Sequence, residues 1–220
     1  MILSHQHKFL FLKTHKTAGT SIEIFLSQFC GPADIITEVS PEDERLRRRL
    51  GYPGPQNHLE SDQGRPRFRS HVTFAQLLAR LKAEGVGIEF LSDYFKFCFE
   101  RNPFDKLVSS YFYQRHRAAR GLSFQEFLAR GRYRKLADWK IWTLAGRQAV
   151  DFIGRFEDLE ADLGRALERI GINARVRLPL AKTRYRSDRE PYTKWYPTPE
   201  SRRYVEELFA RELAHLGYGF

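Results

Sequence analysis

Cysteine is scarce in this chain of 220 residues: there are two, Cys30 and Cys98. Two thiols build no disulfide framework, and no Cys/His cluster has the spacing of zinc ligands. Cys98 lies within the apolar run "DYFKFCFE" and reads as a reduced core residue, which suits a cytoplasmic protein. No Asp/Glu loop follows a calcium pattern, so no metal is expected. No apolar segment reaches the length of a membrane span. The first residues, "MILSHQHKFLFLK", lack the apolar centre and cleavage site of a secretory leader. Repeats and low-complexity blocks are missing as well. Acidic residues are outnumbered, 27 Asp+Glu against 37 Lys+Arg, which leaves a formal charge of +10. That excess favours anionic partners such as nucleotides, phosphates, acidic glycans or nucleic acid; the plainer reading is a basic surface that keeps the protein in solution.

What is present is a globular composition, of a length that fits one domain with a sizeable core. Lys8 to Lys13 reads as a strand rich in Phe and Leu, and "DYFKFCFE" and "DFIGRF" as two more. Ile22, Phe25, Leu26 and Phe29 recur at helical spacing from about Thr20. Thr73 with Gln76, and Ser123 with Glu126, stand in capping-box register. Further helices are expected near Pro103, over "EDLEADLGRALERIG" and over "TPESRRYVEELFAREL", the last with Thr198 as its cap. Strands alternating with helices argue for an α/β layer fold with a central parallel sheet flanked by helices. No linker divides the chain, so residues 1–220 are expected to form a single domain. Residues 31–70 hold one short helical pattern, "SPEDERLRRRLG", and otherwise turn chemistry.

The first strand runs into "KTHKTAGTS" and then a helix. Backbone N–H groups and the dipole at such a helix start favour an anion. Gly19 permits close backbone approach, Thr17, Thr20 and Ser21 offer hydroxyls, and Lys16 adds a point charge. The order differs from an ATP loop of the form G-x-x-x-x-G-K-[ST], because Lys16 precedes the glycine and Thr14 stands where the first glycine would be. The plainer alternative is an ordinary strand–helix turn with Lys16 in solvent. A second motif, "ERNPFDKLVSSYFY", follows the second strand. Arg101 at that strand's end and Ser109 on the next helix could grip another phosphate, since ligands bind at the carboxyl ends of parallel strands. Alternatively Arg101 pairs with Asp105 and Ser109 faces a neighbouring helix.

With "KTAGTS" and "RNPFDKLVSSY" in order, and with "GRFEDLEADL" and "ESRRYVEELFARELAHLGYGF" behind them, the chain resembles the sulfotransferases that use 3′-phosphoadenosine 5′-phosphosulfate (PAPS). The resemblance is to the carbohydrate branch, which includes the heparan sulfate 2-O- and 6-O-sulfotransferases and bacterial relatives, and it spans nearly the whole chain. It implies a P-loop-like three-layer fold and release of adenosine 3′,5′-bisphosphate (PAP). By resemblance, Lys16, Thr17, Ala18, Gly19, Thr20 and Ser21 hold the 5′-phosphosulfate, with Lys16 neutralising the leaving phosphate. Arg101 and Ser109 take the 3′-phosphate. Residues 182–197 cover the nucleotide, with Lys182 and Arg184 as contacts. His71, in "RSHVTFAQL", corresponds to the histidine base of the heparan sulfate enzymes, with His15 as the second candidate. The remaining histidines, His5, His7, His58, His116 and His215, are expected at the surface. The motif departs from its common bacterial form at Lys13 and His15, usually His and Pro, and at Glu100, usually hydrophobic.

The acceptor expected from the resemblance is a carbohydrate or glycoconjugate, covered by residues 31–70. Arginine clusters at 45–49, 65–69, 115–120 and 130–135 could hold an acidic glycan or could be solvated helix faces. Two rivals stand beside this reading: an ATP-dependent small-molecule kinase on a related fold, and a non-enzymatic polyanion binder. The polyanion binder gives no reason for the Arg101/Ser109 spacing or for Lys16 ahead of "TAGTS".

Overall fold

The computed structural model describes residues 1–60, 64–117, 121–179, 181 and 190–220. They form two compact units, one built from Met1–Thr14, Ala18–Glu100 and Lys140–Ala181, the other from His15–Thr17, Arg101–Trp139 and Lys182–Phe220.

The first unit is organised by a five-stranded sheet. Its strands are β1 (Ile2–Ser4), β2 (Phe9–Phe11), β3 (Ile35–Ile36), β4 (Phe95–Glu100) and β7 (Phe152–Arg155). They lie side by side in the order β3-β1-β2-β4-β7. The three strands expected from sequence, β2, β4 and β7, run parallel, with Phe11 opposite Phe97 and Phe99 opposite Gly154. The sheet as a whole is mixed, because β1 pairs antiparallel with both β2 and β3. Neither β1 nor β3 follows from the sequence pattern; at three and two residues they are too short to show a period.

Alternation decides what faces what. Phe9, Phe11, Phe97 and Phe99 lie on one face and pack in a single cluster with Ile22, Phe25 and Leu26 of α1 (Gly19–Ser27) and with Leu163, Ala166 and Leu167 of α7 (Leu159–Arg169). Gly154 is needed there, since a Cβ would sit 2.4 Å from the Phe99 ring. Glu100 points to the opposite face, where it accepts a 2.9 Å hydrogen bond from Nε1 of Trp142 in α6 (Trp139–Trp142). Residues 31–70 supply β3 and α2 (Pro41–Arg49), the latter capped by Ser40. Thr73 caps α3 (Phe74–Ala83) through the expected reciprocal box with Gln76. Two surface expectations fail in this unit. His58 is buried, and Arg47, one of the 45–49 cluster, is fully buried and paired with Glu44 at 3.2 Å. In both cases tertiary packing covers a side chain whose local sequence is polar.

The second unit is helical. Asn102 opens α4 (Pro103–Arg117) by accepting from the Phe104 N–H at 3.0 Å. Ser123 and Glu126 cap α5 (Phe124–Ala129) as the spacing predicts. The C-terminal pattern, expected as one helix, is two: α8 (Pro199–Leu208) and α9 (Ala210–Leu216), parted at Phe209. Phe209 leaves helical geometry and is fully buried with Phe104, Leu107 and Val205. Between α5 and α6 runs a 3₁₀ turn, and the two-stranded hairpin β5 (Thr143–Leu144) and β6 (Arg147–Gln148) follows α6 in the first unit. No helix among the described residues is long and apolar enough to cross a membrane.

Candidate active site

The turn "KTHKTAGTS" passes from the first unit to the second and back, so its residues are taken unit by unit. In the first unit, β2 hands over to Leu12, whose N–H reaches Phe97 O at 2.9 Å, and then to Thr14, whose hydroxyl donates to Phe99 O. Lys13, the first odd residue of the motif, is buried and ion-paired with Glu23 of α1. Glu23 also accepts from the Thr37 hydroxyl at 2.7 Å. Burial alone pushes the Glu23 carboxyl up, but the Lys13 ammonium and the Met1 amine outweigh it and hold the group at about 2. Lys13 therefore carries a structural charge, fixed under the turn. Gly19 is required by that arrangement: a Cβ there would lie 2.7 Å from Lys13 Cγ.

Helix α1 starts from Ala18 in the left-handed region, φ 58°, whose own side chain makes no cap hydrogen bond. A helix start followed by Thr20 and Ser21 has the backbone direction of an anion site. Thr20 and Ser21 are buried, and Ser21 Oγ accepts from the Ala181 N–H at 3.3 Å. His71 stands at the same turn although 58 positions separate it from Lys13: its ring is exposed, and Nδ1 lies 2.9 Å from the Lys13 carbonyl oxygen. A carbonyl only accepts, so Nδ1 carries the hydrogen. In the neutral ring the lone pair then sits on Nε2. That tautomer is the one a base needs.

In the second unit, Lys16 also has positive φ, 61°. Two non-glycine residues in this region cost on the order of 1–3 kcal/mol each, a strain typical of functional turns. Lys16 Nζ lies 4.7 Å over the Tyr113 ring, and the side chain is only half-buried. Arg101 meets the turn directly: Nη1 donates to Lys16 O at 3.1 Å, while Nε and Nη2 fork onto Asp105 at 2.7 and 2.6 Å. Arg101 thus both joins the two motifs and makes the Asp105 pair that was its plainer alternative. Ser109 is half-buried on α4.

His15, the second odd residue and second base candidate, is bound to a carboxylate that the sequence motifs do not mark. Asp138 accepts from the His15 N–H at 2.7 Å, meets His15 Nδ1 at 2.6 Å and takes Lys106 Nζ at 2.9 Å. Burial pushes this carboxyl up, but Lys106 and His15 together hold it below the ordinary range. Asp138 sits in "LADWK", which carries no motif, and Lys106 sits unassigned within "RNPFDKLVSSY". Only three-dimensional contact reveals them. Lys182 and Arg184 lie outside the described residues. Among the described residues no group of His, Cys, Asp and Glu could hold a metal ion.

Comparison with known proteins adds three findings. A family model described as "Sulfotransferase family" matches residues 1–219. An uncharacterized protein of Archaeoglobus fulgidus is 37% identical over 91 residues, covering 40% of this chain and 76% of that protein. The crystal structure of mouse sulfotransferase SULT7A1 complexed with PAP aligns over 96% of this chain and 86% of that one, at 15% identity and a TM-score of 0.48.

Proposed function

This chain belongs to the sulfotransferase family, and from that premise we propose that it transfers a sulfuryl group from PAPS to a hydroxyl of a carbohydrate or glycoconjugate, with His71 as base. When bound, PAPS supplies the activated sulfuryl group and leaves as PAP. The strained turn, the N-terminus of α1 and the local cations fit an anionic nucleotide. Lys16, Thr17, Ala18, Gly19, Thr20 and Ser21 hold its 5′ end, Arg101 and Ser109 its 3′-phosphate, and Lys182 and Arg184 contribute from the covering loop. We treat residues 1–220 as one catalytic domain acting in the cytoplasm without metal or nucleic acid.

His71 Nε2 takes the proton of the acceptor hydroxyl, and the Lys13 carbonyl keeps the ring in the tautomer that can do so. Lys16 and the α1 N-terminus stabilise negative charge at the phosphate end. The observation that carries this reading is the His71–Lys13 contact, which couples the base candidate to the phosphate turn. For the acceptor, the formal charge of +10 suits an acidic sugar.

The test is His71→Ala, with transfer of labelled sulfate from PAPS to a glycan panel and PAP binding measured side by side. Transfer should fall by about 10²- to 10⁴-fold with PAP affinity unchanged; near-normal turnover would remove His71 as base. PAP should raise the melting temperature and ATP–Mg²⁺ should not, whereas the reverse would favour a kinase.

A further inference from the structure

We propose that Asp138 is the positioning residue of the phosphate turn, holding it from beneath through His15; the proposal deepens the nucleotide reading above. Lys16 and Ala18 both sit at positive φ without being glycine, and such a backbone persists only where its surroundings over-determine it. At Lys16 O the restraint is the Arg101 guanidinium. On the residue before, it is Asp138, which engages His15 twice: Oδ2 with the backbone N–H and Oδ1 with ring Nδ1, at 2.7 and 2.6 Å. A two-point contact fixes orientation as well as position, as one hydrogen bond does not.

Asp138 is itself immobilised. It is fully buried, Lys106 Nζ shares its Oδ2 at 2.9 Å, and the N–H of the next residue, Trp139, donates to Glu212 at 3.1 Å. Lys106 is almost fully buried too and grows from α4, whose start Asn102 caps. The chain of contacts from α4 through Lys106 and Asp138 therefore ends on His15, the residue before Lys16. Asp138 touches no reacting atom in this scheme; it sets where the Lys16 N–H and ammonium stand. Such supports are what keep a site within the tolerance chemistry needs.

Two readouts on the full chain test this: hydrogen exchange of the amides in residues 13–21, and PAP affinity by titration. Asp138→Asn should speed exchange in that segment at least tenfold and raise the Kd for PAP at least tenfold. The acceptor KM should stay at its wild-type value. His15→Ala keeps the backbone N–H contact, so it should give a smaller rise in both, and adding it to Asp138→Asn should change little more. A merely structural Asp138 predicts something else: a lower melting temperature, with wild-type exchange in residues 13–21 and wild-type Kd in the folded fraction. That result would overturn the proposal. If Asp138→Asn does not fold, His15→Ala carries the same exchange test, and unchanged exchange there overturns it equally. If the wild-type protein fails to bind PAP, the nucleotide reading falls, while the exchange measurement still judges the lock.

Discussion

Three cations are engaged at one turn, and they differ in what burial has done to them. Lys13 is 5% exposed and pairs with a Glu23 that is completely buried. Lys16 is half-buried and rests on an aromatic ring, while Arg101 is 7% exposed, nearly as buried as Lys13, and forks onto the half-buried Asp105. A buried ion pair is held by the desolvation cost that separating it would incur. A half-buried cation resting on a ring can exchange that partner for a phosphate at little cost. The difference sets Lys13 apart as a lysine held by the fold and leaves Lys16 as the one proposed to meet the ligand, although their side chains are chemically identical.

The comparison can be broken most severely at Glu23. Glu23→Gln leaves the Lys13 ammonium buried without its acid, and should cost about 3–5 kcal/mol of unfolding free energy, measured by urea denaturation. A cost below about 1 kcal/mol would mean that Lys13 is as replaceable as a surface lysine. The next effect is at Arg101. Arg101→Ala should weaken PAP binding about ten- to hundredfold, or about 1.4–2.8 kcal/mol, in a titration. Unchanged affinity would leave Arg101 only its Asp105 pair and its hold on Lys16.

Acid sharpens the contrast. The Glu23 carboxyl lies at about 2, below its ordinary 4.5. Its contribution to stability is therefore fully present above about 4.5 and lost as pH falls toward 2. Unfolding free energy measured between pH 6 and 3 should decline in the wild type and decline less steeply in Glu23→Gln; equal slopes would contradict the assignment. The smallest effect is expected at Asp105. Asp105→Asn removes the charge competing for Arg101, so stability should change by no more than about 1 kcal/mol and PAP affinity should stay level or rise up to about threefold. A large loss of affinity would show that Asp105 positions Arg101 for the ligand.

Long, strongly patterned elements are legible in the amino-acid sequence. Thr73 with Gln76 and Ser123 with Glu126 make their capping boxes, and Leu163 and Leu167 face the core, because these interactions lie within one or two turns of chain. β1 and β3 are not legible, since strands of three and two residues exist only through their neighbours. At the site, Lys16 and Gly19 are readable from their order in the turn. Asp138 is not, because 123 residues separate it from the histidine it binds.

The sequence by itself determined the strand-turn-helix, the anionic character of what the turn would hold, and the family, since each rests on residues close together in the chain or on motifs in a fixed order. Only the tertiary structure decided the use of each charge. It buried Lys13 with Glu23, left Lys16 accessible, set His71 on the Lys13 carbonyl and placed Asp138 beneath His15. The reason is physical. Desolvation and hydrogen-bond partners are set by whatever the fold packs against a side chain, and those neighbours come from distant segments that local pattern does not encode.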